Sequence, residues 1–208
     1  TVGALIGKLD PASNYQNIFL LKIITKTKNY NIMDLKKKGE EAQLGGIKQF
    51  MVTLKWTTAA DFDLAALYEG KDGKIGMVYF GELGDLNNYP FMQLSGDEGV
   101  GDSGGDNSEE MRVAKIDDLN NIWIICWDYT AVEAGTPARF DESDVTVSLT
   151  DDTGTNHEVG LDTGEMGNVC CVAQIDNTNP MGAKFVNTSK AGTLKGLSSS
   201  DQLLQICR

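Results

Sequence analysis

Beyond about residue 45, apolar positions come in short runs or strict alternation, interrupted by Gly, Asn and Asp clusters, with no sustained helical spacing. The pattern predicts strands over 47–56, 64–69, 75–80, 111–116, 122–128, 145–150, 156–160, 169–175 and 183–187. Many short strands with regular turn signals make an all-β chain, and an antiparallel β-sandwich is the architecture expected. Lys71-Asp72-Gly73-Lys74 and Asp151-Asp152-Thr153-Gly154 read as hairpin turns, because glycine supplies the positive φ such turns need. Helix is confined to short stretches at 198–207 and around 32–38. Trp56, Trp123 and Trp127 fall at strand positions and read as core or sheet-face aromatics.

The first 32 residues differ from this body. They form a basic, Asn- and Lys-rich N-terminal extension around one strongly apolar segment, Ile18, Phe19, Leu20, Leu21, Ile23 and Ile24, interrupted by Lys22. An apolar strand on a polar tether needs a sheet to join, in its own domain or in a neighbouring subunit. Both remain open, and the second makes these six residues an assembly element and the protein a homo-oligomer built by strand exchange. The division expected is an arm at 1–32 and a sandwich at 33–208. The apolar segment is too short to span a membrane, and it lacks the position and cleavage pattern of a signal peptide. The chain opens on Thr1 rather than Met, which leaves a processed start and a boundary within a longer chain both open.

Charge sharpens the contrast. Residues 57–165 carry 24 acidic against 5 basic side chains, whereas residues 1–50 carry 4 against 8. An acidic body argues against a nucleic-acid partner, since phosphate binding needs a basic face. The same asymmetry suits a bound cation, or one subunit's basic arm meeting another's acidic body. The four cysteines, Cys126, Cys170, Cys171 and Cys207, lack the spacing of a zinc or redox motif. Cys126 and the adjacent pair lie in apolar runs and read as free buried thiols, with Cys170 and Cys171 pointing to opposite faces of a strand. A bridge from Cys126 to one of them stays open for an extracellular chain.

The stretch 95–110, SGDEGVGDSGGDNSEE, places six carboxylates and five glycines within sixteen residues. Such a segment cannot build a core. Glycine lets the backbone coil so that carboxylates converge against their mutual repulsion, and a hard cation is the natural occupant. Calcium takes six to eight oxygen ligands at about 2.3–2.6 Å and tolerates irregular loops. A solvated acidic loop is the plain alternative. A second acidic feature, Ala60-Asp61-Phe62-Asp63-Leu64-Ala65, follows Trp56. In extended chain Asp61 and Asp63 share one face and Phe62 takes the other. The EF-hand spacing is absent, because the glycines after Asp102 fall at 104 and 105.

Lys37-Lys38-Gly39, a strand ending in Trp56, the ADFDL turn, the Gly-Asp-rich loop ending in acids before a strand, and a later Asp-Thr-Gly together resemble the TerD family of tellurium-resistance and stress-response proteins. The resemblance covers about 33–205. It implies a calcium-binding β-sandwich with two neighbouring calcium sites built from the DFDL turn and the acidic loop, and no established catalytic residues. The ligands it implies here are Asp61, Asp63, Asp97, Asp102, Asp106 and Glu109, with Asn107 and Glu110 as additional candidates. Two departures bear on this. Ala65 stands where the family has a third acid after DFDL, and Ser103, Gly104 and Gly105 dilute the acidic run.

Enzymatic readings fare poorly. His157, the one histidine, sits in the polar segment TGTNHEVG and reads as a surface side chain rather than a general base. No nucleophile elbow or phosphate-binding glycine loop is present. Two readings therefore stand. One is a non-catalytic calcium-binding protein of TerD type, cytoplasmic, in stress response or as a scaffold. The other is a self-assembling structural subunit of a filament, sheath or surface layer, extracellular or at a particle surface, polymerised through the arm.

Overall fold

The structure is a computed structural model and describes residues 32–95, 105–138, 140, 143–196 and 199–208. The chain divides into two units, Thr1–Tyr30 and Asn31–Arg208, and every described residue belongs to the second. The arm residues Ile18, Phe19, Leu20, Leu21, Ile23 and Ile24, and the loop residues Asp97 and Asp102, lie outside the described residues.

Thirteen strands are described: β1 (Ile32–Leu35), β2 (Glu41–Gly45), β3 (Phe50–Trp56), β4 (Phe62–Gly70), β5 (Ile75–Val78), β6 (Gly84–Asp85), β7 (Met92–Leu94), β8 (Asn107–Val113), β9 (Leu119–Asp128), β10 (Thr146–Asp151), β11 (Asn156–Gly160), β12 (Val169–Asp176) and β13 (Ala183–Gly192). Two short helices complete them, α1 (Tyr129–Ala134) and α2 (Ser200–Cys207). The strands form two sheets, in the orders β1-β11-β10-β3-β8-β7-β6 and β2-β13-β12-β9-β4-β5. Pairing is antiparallel apart from β1 on β11. The fold is an all-β, sandwich-like arrangement, as the alternation predicts.

The first core lies between the sheets. It gathers alternate residues of facing strands, among them Val52, Leu54 and Trp56 of β3, Phe62, Leu64 and Ala66 of β4, and Val147 and Leu149 of β10. Burying a side chain the size of Leu64 contributes roughly 1.5–3 kcal/mol, so truncation here removes more stability than most surface changes could. A second apolar layer covers the other face of the second sheet, where Ala65, Leu67, Trp123, Ile125, Trp127 and Cys171 meet Leu203 and Cys207 of α2. Burial on both faces explains why β9 reads as the unbroken run IWIICW rather than as an alternation. The helices end on local signals: the Asp128 carboxylate accepts from Ala131 N at the start of α1, Gly135 follows it at φ 64°, and Ser199 caps α2.

Three expectations need correcting. Residues 32–35 form β1 rather than a helix. A one- or two-turn helix without a buried face is marginal in water, whereas the strand gains a ladder with β11 through Ile32↔Asn156 to Leu35↔Val159. β8 begins at Asn107, inside the acidic run, four residues before the predicted start. His157 is 3% exposed: it shares the inward face of β11 with Val159 and packs edge-on to Phe185, ring centroids 6.3 Å apart.

Candidate functional site

The acidic features gather at one end of the sandwich, where β4 and β8 begin. β5 pairs only with Ala66–Glu69, so the first residues of β4 extend past it. There the backbone N–H of Leu64 donates to Oε2 of Glu109 at 2.6 Å. Glu109 is 2% exposed because β8 turns it to the same side as Met111 and Val113. A carboxylate side chain thus occupies a position that a neighbouring strand's carbonyl would fill, and it joins the two sheets.

Along β4 the faces alternate as the sequence requires. Phe62 points into the core, edge-on to Trp56 at 6.0 Å and stacked on Phe140 at 5.5 Å. Asp63 points the other way, and its Oδ2 accepts from the Trp127 indole N–H at 2.8 Å. The Asp61 carbonyl accepts from Tyr129 N at 3.0 Å, which fixes the turn before β4 against the start of α1. The Tyr129 hydroxyl is held above its usual pKa, first by its bond to Glu133 and the Glu133 charge, then by burial, and last by the charges of Asp63 and Asp61. Asp61, Asp63 and Glu133 therefore all act on one half-buried tyrosine.

At the start of β8, Gly105 N donates to the Thr57 carbonyl at 3.1 Å, and the Asn107 amide donates to the Gly105 carbonyl at 3.2 Å. Ser95 N donates to the Glu110 carbonyl at 2.8 Å. Both flanks of the segment 96–104 are thus fastened at this end. Asp106 and Asn107 line a hollow of about 410 Å³ with Lys55, Thr57, Ser108 and Asp144. The Asp144 carboxylate accepts from the N–H and hydroxyl groups of both Thr57 and Thr58 at 2.5–3.1 Å. Those bonds hold its carboxyl well below the usual range.

The structure separates the predicted ligands into two places. Asp63 and Glu109 both reach the first residues of β4, one from its outer face and one through the Leu64 amide, with Asp61 in the turn just before. Asp106 lies with Asp144 beside Thr57, and Glu110 alternates away from buried Glu109. Among the described residues no group of three or more His, Cys, Asp or Glu side chains is arranged to hold a metal ion. The donors are all oxygens, which suits a hard cation. The described residues alone do not compose a complete shell. Sequence reasoning passed over Asp144, Tyr129 and Glu133. The Asp128 cap followed by YTAVEAG was a legible helix signal, whereas the long-range Asp144–Thr57 clamp left no local trace.

No protein-family model matches this chain, and no curated protein matches it. Among solved structures, a protein of unknown function, SAV2460, superimposes with a TM-score of 0.51 at 15% identity, over 78% of this chain and 96% of its own. SCO6318 from Streptomyces coelicolor A3(2), described as a homologue of the telluride resistance protein TerD, aligns with a TM-score of 0.44 at 17% identity, over 77% of this chain and 96% of that one. The likeness to SAV2460 is one of fold, and the lower-scoring match adds nothing to it. No helix among the described residues is long and apolar enough to cross a membrane.

Proposed function

We propose that this chain is a non-catalytic calcium-binding β-sandwich of TerD type, serving in stress response or as a scaffold, with the ion at the end of the sandwich where β4 and β8 begin. The observation that supports the reading is that Asp61, Asp63 and Glu109 all lie at or against the first residues of β4, at the end where Ser95 and Gly105, the flanks of the acidic segment, are fastened to Glu110 and Thr57. Asp61, Asp63 and Glu109 would hold the ion, together with Asp97 and Asp102 of that segment, while Asp106 and Asn107 stand ready for a second ion nearby. Calcium would supply charge neutralisation that lets the carboxylates stay close, and through them a tie between the two sheets. The sequence resemblance to the TerD family and the strongly acidic body support the same reading. The test is thermal unfolding of the full chain in millimolar calcium against chelator. Each tenfold excess of free ion over its dissociation constant should add about 1.4 kcal/mol per site. An unchanged melting temperature would count against it.

A second reading, a self-assembling filament, sheath or surface-layer subunit polymerised through residues 1–32, is favoured by one observation. The sequence sets a basic segment with one strongly apolar run, residues 18–24, before an acidic body. The two readings are compatible, because a calcium-stiffened domain can be the body of a polymer.

A further inference from the structure

His157 sits among apolar side chains with nothing to receive a proton's charge. Among the described residues its Nδ1 is the one buried side-chain nitrogen or oxygen without a hydrogen-bond partner. Its register partners are Met33 in β1 and Leu149 in β10, and the Phe185 ring of β13 packs edge-on to it. Charged groups on the surrounding strands are turned away or engaged elsewhere. On β1, Asp34 alternates to the opposite face and pairs with Lys36 at 2.9 Å. Its register partner Glu158, next to His157 on β11, alternates to that same face. On β10, the Asp151 carboxylate accepts from Thr153 and Thr155 at 2.6–2.9 Å. On β13, Lys184 is bonded to Glu41 at 2.8 Å.

The strand that covers His157 is weakly held at one end. β1 is the last strand of its sheet, so within that sheet it alone separates His157 from the open margin. It is four residues long and has a ladder on one side only, the parallel one with β11, and parallel pairing is the less stable kind per residue. At its start Ile32 is 61% and Met33 47% exposed. Its other end is fastened. Leu35 is buried, and its carbonyl accepts from the Asn187 side-chain amide at 2.9 Å. The Asn187 backbone then bonds Gly39 and Glu40 at 2.7 and 2.9 Å, tying the following turn to β13. We propose that His157 makes β1 an acid-released flap: protonation of the buried imidazole frees Ile32–Asp34 from β11, with Leu35 as the hinge, and bares β11 as an open sheet edge.

The proton brings a charge and an added N–H into a site that offers neither water nor an acceptor, and a buried charge without a partner is costly. Lifting the flap lets water reach the ring. Burial holds the closed-state imidazole below its ordinary value, with only the Asp151 charge opposing. The open state titrates near about 6.5, the value of a solvated histidine. Above that pH neither state is protonated and the flap is indifferent to pH. Below it the open state binds a proton that the closed state does not, so the open fraction rises by up to about tenfold per pH unit until the closed-state value is reached. Freeing so short an edge element costs far less than unfolding the sandwich, so the opening is local. The bared β11 edge presents N–H and C=O groups to which another strand can add. The flap does not depend on calcium.

The test is amide exchange of the full chain between about pH 7.5 and 5, corrected for the intrinsic pH dependence of exchange and read by peptide mass. Peptides covering 32–36 should be less protected than those of β9 and β12 at every pH, and insensitive to low urea because little surface is exposed. Their protection should fall by up to about tenfold per pH unit below about pH 6.5. His157→Leu and His157→Met, both apolar and without a titrating group, should make it independent of pH, and either variant suffices if the other folds poorly. Protection at 32–36 that is flat with pH in the parent would overturn the proposal. So would an undiminished fall in the variants, or protection at 32–36 equal to that of β9 and β12, which would mean that β1 leaves only when the whole sandwich unfolds.

Discussion

Leu64 N and Glu109 Oε2 lie 2.6 Å apart, and this bond joins the start of β4 in one sheet to the start of β8 in the other. A buried amide that loses its acceptor keeps the full cost of leaving water, roughly 1–3 kcal/mol. Glu109→Ala should therefore lower stability by at least that amount in chelator, read as a fall in the denaturation midpoint at unchanged slope. Glu109→Gln retains an acceptor oxygen for Leu64 and should recover most of the loss without restoring a calcium response. Equal behaviour of the two variants in chelator would show that the bond contributes nothing.

Asp63 has two separable tasks in this account, accepting the Trp127 indole N–H at 2.8 Å and supplying charge to an ion. Asp63→Asn keeps the acceptor and removes the charge. Its stability in chelator should stay within about 1 kcal/mol of the parent, while its gain in melting temperature on adding calcium shrinks. Paired melts with and without calcium check this. A full calcium response would remove Asp63 from the ligand set.

His157 gives the pH dependence. Burial pushes its imidazole below the usual value, with the Asp151 charge opposing, and Nδ1 has no hydrogen-bond partner among the described groups. The unfolded chain titrates near about 6.5, so between that pH and the lower native value it binds more protons than the folded chain. Stability is accordingly unaffected by His157 above about pH 6.5 and falls as pH drops through the window. His157→Leu should flatten that part of the stability–pH curve. Parallel curves for parent and variant between pH 7 and 5 would contradict the assignment.

Deleting residues 1–31 addresses the assembly reading. The sandwich should remain folded, since every described strand and helix begins at or after Ile32. If the arm links subunits, light scattering should show the oligomer falling to monomer. An unchanged mass would refute that role.

Most of the sandwich was legible because strand alternation is a local signal. The β10–β11 hairpin matches its reading closely: Asp151 and Asn156 lie at its strand ends, and Gly154 takes φ 85° in the turn. The features missed depend on distant partners. Residues 32–35 carry no strand signal of their own and are fixed by β11, while β7 (Met92–Leu94) is too short to show a period. The acidic run hid the start of β8, because charge there reads as solvent exposure although Glu109 is enclosed. For the candidate site, the opposed faces of Phe62 and Asp63 were readable from spacing. The Glu109–Leu64 and Asp144–Thr57 bonds were not, because each joins residues 45 and 87 positions apart respectively.

Isothermal titration of calcium into the chelator-stripped full chain, with Asp61→Asn alongside, tests the calcium reading most directly. The parent should bind calcium saturably, and Asp61→Asn should bind it at least about tenfold more weakly, a loss of about 1.4 kcal/mol. No saturable binding at millimolar calcium, or identical isotherms for the two proteins, would contradict a calcium site at the start of β4.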